Sequence, residues 1–127
     1  MWIFSQKAFL SIVRHIDKAN VLIVRSRFRG HIESIFPKAH VTEDAERDYK
    51  YRVELPAKEV SKALAELVLG IRYENFKNSL DMNDERYFES CISVYNSVLI
   101  NSQTNTLVIE NEDSSQFQYL REEPNEG

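Results

Sequence analysis

The feature that most constrains the fold is a strand pattern that passes directly into a helical pattern over residues 49–71. Apolar and charged side chains alternate from residue 49 to 55 (YKYRVEL), which is the period of a strand with one buried face. Pro56 ends this strand, because proline has no amide hydrogen and its fixed φ suits the first turn of a helix. Apolar residues then recur at helical spacing as far as Ile71. The pattern predicts a strand with Tyr49 and Tyr51 in the core, followed at once by an amphipathic helix.

Three further strands are predicted before this element, at residues 2–4, 8–15 and 21–28, and their short polar connections favour an antiparallel meander. A short helix is predicted at residues 30–36, where Pro37 would stop it. The polar stretch at residues 38–48 is interpreted as a surface loop.

A second long helix is predicted downstream, because apolar residues from Tyr87 to Leu99 form one helical stripe. We expect it to pack on the sheet beside the first helix. The sequence therefore predicts a single α+β domain over residues 1–100, with an antiparallel sheet of about four strands covered on one face by two main helices. Residues 101–127 would add an acidic extension, with a hairpin between residues 106 and 120 and a frayed end at 122–127.

Composition excludes several classes of site. Cys91 is the single cysteine, so one chain can form neither a disulfide framework nor a thiolate zinc site, and its apolar neighbours favour a buried thiol. The three glycines are isolated, which excludes a phosphate-binding loop or a dinucleotide fold. We expect no catalytic set, no metal site and no cofactor.

Other polar residues also favour structural interpretations. The histidines at positions 15, 31 and 40 lack ligand spacing and suit surface or turn positions. The acidic group of the 38–48 loop lacks the ligand order of a calcium loop, so solvated charges are the simpler interpretation. No apolar run approaches a membrane span and no signal peptide is recognisable, so we expect a cytoplasmic location.

One basic group invites a functional interpretation. Strand alternation places Arg25, Arg27 and Arg29 on one face of the third strand, and Lys50 and Arg52 opposite the apolar face of the fourth. If these strands are neighbours, the five side chains would merge into one surface suited to phosphates or carboxylates. A solvated face, or pairing with the acidic tail, is the competing interpretation, since residues 101–127 carry six acidic residues and one basic residue.

A polar block, YENFKNS at residues 73–79, has no periodic reason for its composition. Polar residues in a connection often mark a helix cap or a binding contact. We therefore regard Tyr73, Asn75 and Lys77 as candidate partner-binding residues.

Four sequence blocks together resemble a family of small bacterial and phage cytosolic proteins: Trp2-Ile3-Phe4, LIVRSR at 22–27, Tyr51-Arg52-Val53, and the block at 73–79. The resemblance covers roughly residues 1–100 and implies a compact domain without an established activity. Residues 101–127 have no counterpart in that family. By analogy with phage and mobile-element proteins, such an addition suggests adaptation to a new partner.

These observations give three functional hypotheses. The first is a non-enzymatic protein-interaction module, an inhibitor or adaptor of a phage or mobile element that acts on a host protein, with a homodimer as a further possibility. The second is a binding protein for a nucleotide or another phosphorylated ligand on the basic sheet face. The third is an unrecognised enzyme that uses Tyr73, Asn75 and Lys77.

Overall fold

The computed structural model describes residues 1–103. Residues Met1–Leu80 form one unit, which contains the whole sheet, and a second unit begins at Asp81. The predicted domain boundary at residue 100 and the packing of the last helix on the sheet remain predictions. The predicted hairpin between residues 106 and 120 and the frayed end at 122–127 lie outside the described residues.

The sheet of the first unit is antiparallel throughout and has the strand order β1-β2-β3-β5-β4. Its strands are β1 (Trp2–Phe4), β2 (Phe9–Arg14), β3 (Val21–Ser26), β4 (Thr42–Glu43) and β5 (Tyr51–Pro56). The predicted α+β class and the β1-β2-β3 meander are confirmed. The sheet has five strands rather than about four, because two residues of the predicted surface loop pair with β5 as β4.

The register between β3 and β5 determines which side chains share a face. Leu22 lies opposite Leu55, Val24 opposite Val53, and Arg25 opposite Arg52. Directly opposed residues point to the same side of a sheet, so the apolar pairs line one face and the arginine pair lies on the other. The amide of Ala57 donates to the carbonyl of Asn20 at 2.8 Å, which holds this register where β5 ends.

Helices α1 (His31–Ile35) and α2 (Ala57–Leu69) pack on the apolar face. The core contains Leu10 and Val24 from the sheet, Ile32 from α1 and Val60 from α2, each no more than 2% exposed. Helix α2 follows Pro56 directly and ends at Gly70, which confirms the predicted strand-to-helix passage.

Three polar side chains are buried among the described residues, Ser11, Ser26 and His31, and hydrogen bonds to Phe9 satisfy the last two. Ser26 Oγ donates to the carbonyl of Phe9 at 3.0 Å, and His31 Nδ1 accepts from the amide of Phe9 at 2.9 Å. The ring of Phe28 stacks on His31, with centroids 4.7 Å apart. The predicted surface or turn position is therefore wrong for His31, because α1 begins against β2 and encloses the imidazole.

Helix α3 (Glu85–Gln103) lies in the second unit and confirms the predicted long helix. Its apolar stripe is only partly enclosed. Tyr87 and Cys91 are buried, whereas Val94, Val98 and Leu99 are 40%, 62% and 37% exposed. Among the described residues, no helix has the length and apolar character needed to cross a membrane.

The core assignment predicts the effect of truncating a buried leucine. Leu10→Ala should lower the free energy of unfolding by about 2–5 kcal/mol, because it removes buried methyl groups and leaves a cavity. Leu69→Ala is the matched control, since Leu69 is 76% exposed, and it should change stability by less than about 0.5 kcal/mol. Urea unfolding followed by circular dichroism measures both. Similar losses in the two variants would contradict this core.

Candidate functional site

The predicted basic group of five residues is divided by the fold. Arg25 and Arg52 lie inside the β3–β5 ladder as direct cross-strand partners. Arg27 and Arg29 follow the end of β3 at Ser26, and Lys50 precedes the start of β5. The ladder register therefore determines the face of Arg25 and Arg52 only.

Arg25 and Arg52 form a non-hydrogen-bonded pair, the kind of antiparallel pair in which the two Cα atoms lie closer together. The carbonyls of Lys50 and Arg52 accept bonds from the β4 side, from the Asp44 amide at 2.8 Å and from Thr42 Oγ1 at 3.2 Å. Since these even-numbered residues direct their backbone groups toward β4, Arg52 is not hydrogen-bonded to Arg25. In such pairs the Cα atoms are about 4.5 Å apart. Two positive side chains thus stand side by side.

The surroundings of Arg25 leave part of its guanidinium without a partner. Nη2 donates to Ser11 Oγ at 2.6 Å, and Ser11 is itself buried opposite Arg25 on β2. Nε is buried and has no hydrogen-bond acceptor among the described residues. Within residues 1–103, no carboxylate forms an ion pair with Arg25 or Arg52.

Arg52 is partly buried, and two of the charges that act on it are positive. Burial lowers the pKa of the Arg52 guanidinium below its ordinary value, and the charges of Arg47 and Arg25 lower it further, while Asp44 acts in the opposite direction. An arginine keeps its proton in spite of such a shift. Arg52 is therefore a permanent cation in a region of excess positive charge.

Three other arginines form ion pairs with the loop between β4 and β5 and its flanks. Arg27 lies 3.4 Å from Asp48, Arg29 3.3 Å from Glu43, and Arg47 3.5 Å from Asp44. All six side chains are more than 40% exposed, so each pair contributes only about 0–1 kcal/mol. Within the described part of the chain, these carboxylates thus pair with Arg27, Arg29 and Arg47 and with neither Arg25 nor Arg52.

Tyr49 corrects the sequence prediction. Its ring is buried, but it lies 6.4 Å from the ring of Phe9, and the guanidinium carbons of Arg25 and Arg27 lie over it at 4.5 and 4.7 Å. Alternation had placed it in the core with Tyr51. The strand begins only at Tyr51, so alternation does not extend to residue 49. The tyrosine instead orients two arginines.

The remaining two cations of the predicted group lie around a different ring. The guanidinium carbon of Arg29 is 5.3 Å from the ring centroid of Tyr51, and Lys50 Nζ is 5.9 Å from it. Tyr51 belongs to the core cluster, and its cross-strand partner is Glu43. Arg29 is therefore beside the core face, away from Arg25.

A groove of about 1020 Å³ runs along the outer edge of β5 beyond the end of β4. We call it the edge groove. One wall is formed by residues 52–55 of β5, and a second by residues 35–40 with Thr42. A third is formed by one side of α2, with Glu59, Lys62, Ala63 and Glu66. The remaining lining residues are Ile16, Ile23 and Arg47. Arg52 is thus shared between the arginine pair and this groove, a juxtaposition that no sequence pattern indicated.

A carboxylate of the groove is already engaged. Glu54 accepts from Lys18 Nζ at 2.9 Å and from His15 Nε2 at 3.2 Å. The bond from Lys18 is the main cause that lowers the pKa of Glu54. His15 Nδ1 accepts the amides of Asp17 and Lys18 at 3.0 Å, which confirms the predicted turn position of this histidine.

The candidate residues of the 73–79 block lie elsewhere. Asn75 Oδ1 accepts the amide of Asn78 at 3.0 Å, beside the turn at Lys77–Ser79 whose N-cap residue is Phe76. The ring of Tyr73 packs edge-on against Phe76, with centroids 5.8 Å apart. Tyr73 lines a second groove, whose walls include none of the arginines. Partner binding by this block stays a prediction.

Other candidate chemistry in the described residues is limited. No three His, Cys, Asp or Glu side chains of residues 1–103 are grouped so as to hold a metal ion. Burial raises the pKa of the Cys91 thiol, against a smaller opposite effect of a hydrogen bond with Tyr87. The prediction of a buried thiol is confirmed.

Comparison with models of protein families, with curated proteins and with solved structures finds no match to this chain. The resemblance to small bacterial and phage proteins therefore stays a prediction.

The contact between Tyr49 and Arg27 can be tested by a double-mutant cycle. Arg27→Ala and Tyr49→Leu should show a coupling free energy of about 0.5–1 kcal/mol, because the ring attracts the cation. Arg72 is the control partner, since its guanidinium donates to the backbone carbonyls of Leu69 and Ile71. The cycle of Arg72→Ala with Tyr49→Leu should give no coupling. Equal values in both cycles would show that Tyr49 does not hold Arg27.

Proposed function

We propose that this protein is a non-enzymatic binding domain for an anionic ligand, a phosphorylated small molecule such as a nucleotide. Arg52 and Arg25 would hold the anion. The observation that carries the proposal is the like-charged pair of Arg25 and Arg52, which directly oppose each other in the ladder and form no ion pair with any carboxylate of residues 1–103.

A like-charged pair directly across two strands costs stability. An oxyanion between the two guanidinium groups would be attracted by both of them, which would offset their mutual repulsion. It would also accept several charge-assisted hydrogen bonds. It would also lie within the field of Arg47, which acts on Arg52. Planar guanidinium groups suit the oxygens of phosphates and carboxylates better than lysine does.

The surrounding contacts prepare Arg25 for this role. The bond to Ser11 and the ring of Tyr49 restrict its guanidinium before any ligand arrives. A side chain that is already ordered loses less conformational entropy on binding. The buried and unpartnered Nε of Arg25 is one further donor that a ligand could satisfy if its oxygen reached that atom.

Arg52→Gln tests the site by loss of binding. Isothermal titration with pyrophosphate and with ADP should show an affinity at least about tenfold lower in this variant, because charge-assisted hydrogen bonds are removed. Arg72→Gln is the matched control, since Arg72 is exposed and bonds only to nearby backbone. The control should bind like the wild type. Absence of binding in the wild type, or equal loss in both variants, would contradict the proposal.

The same variant should have the opposite effect on stability. Without ligand, Arg52→Gln should raise the free energy of unfolding by about 0.2–1 kcal/mol, because the like-charged contact with Arg25 disappears. Arg72→Gln should leave it unchanged. Urea unfolding at low salt measures both variants. A clear loss of stability in Arg52→Gln would show that Arg52 has a structural role and that no unfavourable charge pair is present.

The second candidate function is a protein-interaction module, and the apolar stripe of α3 favours it. Val94, Val98 and Leu99 continue the stripe of Tyr87 and Cys91 but remain 37–62% exposed. Exposed apolar groups arranged on one face are typical of interaction surfaces. The partner would be a protein with an apolar groove, either a host protein inhibited by a phage-encoded module or a second copy of the chain.

A pair of substitutions on α3 separates this function from anion binding. Val98→Glu should abolish capture of a partner from a host extract, or dimerisation observed by light scattering, because it places a charge in the apolar contact. Ser93→Glu is the control, since Ser93 is exposed on the opposite side of α3. Both variants should still bind pyrophosphate. A monomer that captures no partner would contradict this function.

A further inference from the structure

The edge groove shows what kind of anion the arginine pair would select. We infer that the ligand is an amphipathic anion, with its phosphate or carboxylate group at Arg52 and an uncharged apolar body lying in the edge groove. This inference rests on the proposed anion-binding function and defines the chemical class of the ligand.

The charged end of the groove lies where β4 meets β5. Thr42 and Arg52 are cross-strand partners, and Arg47 belongs to the connection between these two strands. Both arginines line the groove. Because Arg52 forms no ion pair among the described residues, this end of the groove is electrostatically complementary to an anion.

Beyond Arg52 the groove walls combine an apolar patch with the charged side chains of Lys38, Glu54 and α2. Ile35, Val53 and Ala63 are half-buried in its walls, and Leu55 and Phe36 lie deeper. Ile16, on the turn between β2 and β3, is 80% exposed at the rim. A large apolar side chain left in water at the rim of a groove would gain from contact with an apolar ligand.

The helix side of the groove favours a ligand with a single charged end. Glu59 and Glu66 of α2 face the groove with Lys62 between them, and their carboxylates would repel a second anionic group. A ligand with charge at both ends would therefore bind less well than one with an uncharged body.

Addition of a peptide strand to this edge fits less well than a small molecule. The even-numbered residues of β5 direct their backbone groups outward, and β4 already covers Arg52. Beyond it only Glu54 offers both an amide and a carbonyl, because Pro56 has no amide hydrogen and α2 begins at Ala57. One residue cannot support a ladder. The groove volume of about 1020 Å³ is at the upper end of small-molecule sites.

Binding of a homologous series tests the inference. The probes are inorganic phosphate, then butyl, hexyl and octyl phosphate, with octanoate to distinguish a carboxylate head from a phosphate head. Isothermal titration should show affinity rising by up to about fourfold for each methylene that enters the groove. Arg52→Gln should weaken every member of the series by at least about tenfold.

Two substitutions inside the groove test where the apolar body lies. Ala63→Trp should weaken octyl phosphate by at least about tenfold by filling the groove, and it should leave inorganic phosphate unchanged. Ala65→Trp is its control, because Ala65 is exposed on α2 and outside the lining. Ile16→Ser offers a second variant on an exposed turn and should weaken octyl phosphate about threefold or more. Leu69→Ser is the control for it.

The outcomes separate the two proposals. If inorganic phosphate binds at Arg52 and octyl phosphate binds no more tightly, the amphipathic ligand is overturned and anion binding remains. If neither binds, anion binding itself fails, and the inference fails with it. If octyl phosphate binds but the Ala63 and Ile16 variants behave like their controls, the apolar body lies outside the groove and the inference is overturned.

Discussion

The register between β3 and β5 is the constraint on which the rest of the first unit depends. In this register Leu22 lies opposite Leu55 and Val24 lies opposite Val53. These pairs belong to the apolar face of the sheet on which α1 and α2 pack. A shift of one residue would turn every one of these side chains to the other face. The same register brings Arg25 opposite Arg52, so the apolar core that fixes the fold also forces the two cations together.

The acidic loop explains why Arg27, Arg29 and Arg47 form ion pairs, whereas Arg25 and Arg52 form none among the described residues. Its carboxylates pair with Arg27, Arg29 and Arg47, which lie at or beyond the ends of the strands where exposed side chains can reach one another. Arg25 lies within the sheet, held by Ser11 and the ring of Tyr49, and Arg52 is partly buried beside it. The described carboxylates therefore neutralise the arginines around Arg25 and Arg52 but form no ion pair with these two.

Sequence patterns predicted the parts of this molecule that regular backbone geometry controls. The alternation in β3 and β5 and the start of α2 after Pro56 follow from local rules. The errors fall where regular geometry stops. Tyr49 precedes the ladder and Arg29 follows it, so alternation misplaces both. β4 has only two residues and no apolar period, and the edge groove is formed by segments distant in sequence, which no local pattern can indicate.

A substitution in the pair of Arg25 and Arg52 should affect stability and anion binding in opposite directions, whereas a substitution of most buried residues would lower both. A change at Val24 would alter the core and every property that depends on it. Arg52 forms no ion pair among the described residues, and the charges of Arg47 and Arg25 oppose its own, while Asp44 acts in the other direction. Neutralising Arg52 should help folding and harm binding, and those opposite signs distinguish a binding residue from a structural one. Local conflicts of this kind are expected at functional sites, where function outweighs local stability.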